Sequence, residues 1–208
     1  NPVPFTFLGR TYLGLLDLID LRARQNPALV SNAAELKKTA LENAKRNLVK
    51  AVELKSDYAA AEFLLAQVFT REGNIDEALR LGVQTAISAP NDVGVAFFLG
   101  FLFYQKEDLT SAEQQFSRAI LINPNYSNAM YFLGLIYDKT NRPTEALKQF
   151  RRIFELNPDN EEVRKIIVNL EAGRTALSTI TPPPEKRREP PIKETSAPQQ
   201  KTQTETRR

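Results

Sequence analysis

This chain of 208 residues contains no cysteine, no histidine and no tryptophan, and only one methionine. The lack of cysteine excludes disulfides, zinc-thiolate sites and thiol nucleophiles, and leaves the redox compartment open. Without histidine, the commonest general base and the commonest metal ligand are missing as well. No glycine-rich phosphate loop, serine-centred elbow or EF-hand pattern takes their place. Acids do gather at Glu72, Asp76 and Glu77, and again at Glu161 and Glu162. Carboxylates in a first helical turn already serve the helix dipole, so they need no catalytic explanation. The reading is non-catalytic: no catalytic residue, no cofactor and no metal site.

A long apolar run is missing too. The greasiest stretch, Val93 to Tyr104, is broken by glycines and suits one helix of a helical hairpin, so no membrane span is expected within these residues. The first residue is Asn1 and no signal-type segment follows it, which points to a processed product or a part of something longer, with room for a tether upstream. Neither sign of charge is in large excess. The net value of +3 comes from the end of the chain, where seven Lys or Arg from Thr181 onward face four Glu. The body before it is neutral, so nucleic acid is not an expected partner. The basic end reads as a solubilising linker or as a contact for an anionic polymer or membrane surface.

What is present is a period. Pro90, Pro124 and Pro158 fall at equal steps (124 − 90 = 34 and 158 − 124 = 34). The same step separates Ala78, Ala112 and Ala146, then Leu65, Leu99 and Leu133, then Ala66, Gly100 and Gly134, then Phe69, Phe103 and Tyr137. Leu65, Ala66 and Phe69 share one face of a helix, the small residues let two backbones approach, and each proline ends a unit. Asn74 and Asp108 suit helix N-caps, and Pro143 suits a first turn.

Leu99-Gly100, Phe103, Ala112, Phe116 and Pro124 in one unit, and Leu133-Gly134, Tyr137, Ala146, Phe150 and Pro158 in the next, resemble the tetratricopeptide repeat pattern. Glu62, Ala96 and Met130 stand where that pattern has tryptophan, and Gly82 stands where it has phenylalanine. The resemblance implies an all-α fold: a right-handed superhelix of antiparallel helix pairs with a C-terminal capping helix. Three repeats are expected at about 57–90, 91–124 and 125–158, within 56–158. Residues 1–55 read as a degenerate repeat, with Leu13-Gly14 as its Leu-Gly pair and an insertion of about 18 positions through Gln25-Asn26-Pro27, or as a plain helical cap. Residues 159–173 form the capping helix, with Asp159 or Asn160 as its cap, Val163, Ile166, Ile167 and Leu170 on its dry face and Gly173 as its stop. A disordered proline-rich basic tail is expected over 174–208.

The resemblance further implies a protein-interaction scaffold that binds a peptide or protein on the concave face of its first helices. Here that face would hold Phe63, Gln67 and Arg71, then Phe97, Phe101 and Tyr104, then Tyr131, Leu135 and Lys139. The alternative is that Phe97, Phe101 and Tyr131 pack between neighbouring first helices or are covered by the N-terminal segment. The carboxylate clamp of chaperone-binding members is not expected, because its places fall mostly on Phe63, Gln67, Phe98, Asn128 and Phe132. Residues 40–184 also resemble the repeat region of bacterial O-antigen-ligase-like membrane proteins. That resemblance implies a soluble appendage at the cell envelope, positioning substrate or subunits for a catalytic domain upstream.

Overall fold

Helix ends in this chain are set by a turn that recurs at the repeat interval. Gly73, Glu107 and Asn141 each sit at positive φ, at 78°, 60° and 57°. Each is followed by an amide that reaches back to close the preceding helix: Asn74 N–H donates to the Phe69 carbonyl at 2.9 Å, Asp108 N–H to Phe103 at 3.0 Å and Arg142 N–H to Tyr137 at 2.7 Å. This left-handed closure lets a chain leave one helix and start its antiparallel partner. The Asn74 and Asp108 side chains then accept from Glu77 N–H and Ser111 N–H, and Pro143 opens its helix with a pre-set φ.

The computed structural model describes residues 1–26 and 30–180. Among them the secondary structure is nine α-helices and no strand: α1 Val3–Gln25, α2 Val30–Leu54, α3 Ala59–Arg71, α4 Ile75–Ser88, α5 Val93–Gln105, α6 Leu109–Ile122, α7 Ser127–Lys139, α8 Pro143–Leu156 and α9 Glu161–Glu171. They fall into two units, one from Asn1 to Asn123 and one that begins at Pro124.

In the first unit α1 packs on α2, α3 on α4 and α5 on α6, while α2 meets α3, α4 meets α5 and α1 meets α3. Its core runs through Leu13, Leu16, Ala44, Leu48, Leu65, Ala66 and Leu81. In the long first pair the two glycines of α1 differ in their surroundings. A Cβ placed on Gly14 would meet nothing within 4 Å, whereas one on Gly9 would lie 2.4 Å from Leu48 Cγ. Gly9 is therefore the close-approach residue of α1, as Gly100 is of α5 with 2.7 Å to the Phe116 ring. Pro27, within the expected insertion, lies outside the described residues.

In the second unit α7 packs on α8 and α8 on α9. Asn160 caps α9 by accepting from Val163 N–H at 3.0 Å, and Val163, Ile166 and Leu170 are buried. The expected tail begins at residue 174, and for its first part the structure differs. Gly173 at φ 70° turns the chain back, and Ala176 becomes fully buried. The buried Asn169 amide donates to the Ala176 carbonyl at 3.0 Å and to Thr179 Oγ1 at 2.9 Å. Ala176 N–H in turn donates to Asp138 Oδ2 on α7 at 2.9 Å. Residues 181–208, the rest of that expected tail, lie outside the described residues.

Candidate functional site

The residues expected on a binding face separate by burial. Phe63, Gln67, Phe97 and Phe101 are half-buried, and Arg71 and Lys139 are exposed. Tyr104, Tyr131 and Leu135, expected on the same face, are buried. Packing explains Tyr131: its ring stands edge-on to Phe150 at 5.6 Å and 90°, and its hydroxyl donates to Glu162 Oε1 at 2.7 Å.

On α3 and α5 of the first unit the balance is different. Helical spacing sets Phe63, Gln67 and Arg71 at successive i+4 steps of α3, and Phe97 and Phe101 one such step apart on α5. Phe63 meets Phe98 edge-on with centroids 5.3 Å apart, which joins the two helices. Phe97 lies 5.7 Å from Phe116 of its own hairpin. Both rings thus hold the helices in place and still keep part of their surface open. Arg71 ends the α3 row with its guanidinium 3.1 Å from Asp17 Oδ1 on α1, so α1 borders this face. The mixture is apolar rings, an amide and a cation, which can pack side chains of a peptide and hydrogen-bond its backbone.

Glu62 departs from every neighbouring pattern. It is only 2% exposed, its Oε2 has no hydrogen-bond partner among the described residues, and it occupies the place held by Ala96 and Met130 one and two repeats later. Burial pushes its carboxyl above the usual glutamate range; the Asp57 charge adds to this and Arg80 opposes it. Its position in the repeat is visible in the sequence, but its missing partner is a three-dimensional fact. Among the described residues no group of acids could hold a metal ion, and no helix is long and apolar enough to cross a membrane.

Residues 103–170 match the tetratricopeptide repeat family model. No curated protein matches the chain. Solved structures do. MamA is 18% identical with a TM-score of 0.61, over 68% of this chain and 83% of that one. YrrB, described as a tetratricopeptide protein with an unusual peptide-binding site, is 22% identical with a TM-score of 0.58, over 74% of this chain and 82% of that one. The first tetratricopeptide domain of Spaghetti, solved with an HSP90 peptide, is 19% identical with a TM-score of 0.51, over 55% of this chain and 94% of that one. At these identities the likeness is one of fold. Together, the family match from the end of α5 into α9 and the helical-pair architecture show a tetratricopeptide-type fold of stacked helix pairs.

Proposed function

We propose that this chain is a non-catalytic scaffold that binds a peptide segment of a protein partner across α3 and α5 of its first unit. The observation that carries the reading is the row of half-buried rings, Phe63, Phe97 and Phe101, beside Gln67 and the exposed Arg71. Partly open rings on rigid helices suit anchor side chains, because little conformational entropy is lost when they are covered. Support also comes from YrrB and Spaghetti, each of which is described with a peptide or a peptide-binding site. Arg71 favours a ligand with a carboxylate or a backbone carbonyl near that end of the row. The chaperone-type clamp is not part of the proposal, since Phe63 and Gln67 stand at two of its places.

The test is selection of peptides from a random display library on the whole chain, followed by titration of the selected peptides against Phe101→Gln and Arg71→Ala. Loss of affinity by about tenfold or more in each variant, a hot-spot-sized effect, supports the reading. Binding that is unchanged in both variants contradicts it.

A further inference from the structure

Among the described residues, exposed apolar side chains concentrate on α1. Val3, Phe7, Leu8, Leu15, Leu18 and Leu21 all lie at 41% exposure or more, with Phe7 at 68%. They are ordered along the helix. Phe7, Thr11, Gly14, Leu18 and Leu21 follow steps of four, three, four and three, the alternation of a coiled-coil seam, and each of them is exposed. This seam faces away from the residues that hold α1 to the fold, which are Thr6, Gly9, Leu13 and Leu16. An exposed stripe of this kind, uncovered among the described residues, marks a docking surface.

The borders of the seam point to its occupant. Arg10 and Asp17 lie on one edge of the stripe, and Leu8 and Leu15 on the other. We propose that α1 pairs with α1 of a second copy of this chain, the two helices antiparallel and related by a two-fold axis near residues 12 and 13. In that register Phe7 meets Leu18 of the second copy and Thr11 meets Gly14, so bulky residues face bulky ones at the ends and small ones let the backbones approach at the centre. Arg10 then faces Asp17 of the second copy on one flank, and Leu8 faces Leu15 on the other. Each contact occurs twice, as a two-fold interface requires. A parallel pair would instead set Phe7 on Phe7 and leave Arg10 facing an apolar edge. Asp17 already pairs with Arg71 of its own chain, but its side chain is 74% exposed and a carboxylate has lone pairs for a second donor.

The chain has no cysteine, so cross-linking reports the register directly. The intact chain should sediment as a concentration-dependent dimer. Leu18→Glu should return it to a monomer with its helical signal kept. Arg10→Glu, which puts like charges together twice per dimer, should weaken the dimer about tenfold or more. A mixture of Thr11→Cys and Gly14→Cys chains should form mixed disulfide dimers faster than a chain carrying Ile87→Cys, an exposed position on α4, cross-links to itself. A chain that stays monomeric into the high-micromolar range overturns the proposal. So does a dimer indifferent to Leu18→Glu and Arg10→Glu, or cross-linking of the mixture no faster than the Ile87→Cys control. Peptide binding at α3 and α5 is read separately through Phe101→Gln, whose residue lies on α5 outside this seam.

Discussion

Gly134 lies so close to Phe150 that a Cβ added to it would stand 2.7 Å from Cε2 of the ring. The ring cannot retreat easily, because Phe150 is fully buried and Tyr131 abuts it edge-on. Gly134→Ala should therefore destabilise the protein by about 1–3 kcal/mol through overpacking, outweighing the better helix propensity of alanine. At Gly14 an added Cβ meets nothing within 4 Å, and Gly14→Ala should gain up to about 1 kcal/mol. Urea denaturation of dilute protein reads both signs. Equal effects at the two glycines would contradict the packing account.

The turn between α5 and α6 carries the cost of a non-glycine residue in left-handed backbone. Glu107 sits at φ 60° where the preceding repeat has Gly73. Glu107→Gly should stabilise the fold by about 1 kcal/mol, seen as a higher melting temperature. A lower melting temperature would mean that the Glu107 side chain supplies more than its backbone loses.

Glu62 makes stability depend on pH in a direction opposite to that of most carboxylates. Its folded-state affinity for a proton is raised, so above the ordinary glutamate range the folded form holds a proton that the unfolded form has released. The contribution of Glu62 is therefore fully present in acid and is lost as pH rises through its raised folded value. Glu62→Gln, which keeps the shape without the charge, should be more stable than the parent near neutral pH. The gap should close as pH falls towards the ordinary glutamate range. Chemical denaturation across that range measures it, and a gap that grows on acidification would contradict the assignment.

Asn169 fastens residues 174–180 to α9. It is 1% exposed, and its removal leaves the Ala176 carbonyl without that donor. Asn169→Ala should cost about 1–3 kcal/mol. Hydrogen exchange at the Ala176 amide, which donates to Asp138, should accelerate with it. Unchanged protection there would show that the Asp138 contact and apolar burial of Ala176 and Ile180 hold the segment without Asn169.

The repeat period made the helix pairs from α3 to α8 legible, because prolines, caps and small residues at fixed places each have a local physical reason. Other features were not local. Gly9 and Gly14 are both glycines in an amphipathic run, and only the position of Leu48 decides which one is the contact. The segment after Gly173 looks tail-like in composition, and the contacts that hold it come from Asn169 on α9 and Asp138 on α7. The binding row was legible as a helical face. Which of its rings remain open depended on the neighbours: Phe150 and Glu162 enclose Tyr131, while Phe97 and Phe101 stay half-buried.

Titration of library-selected peptides against the parent chain and Phe101→Gln, with melting followed in parallel, tests the interaction scaffold most directly. The account predicts saturable binding that drops by about tenfold or more in the variant while the fold persists. Peptides that bind both proteins equally, or a library that yields no saturable binder, would contradict it.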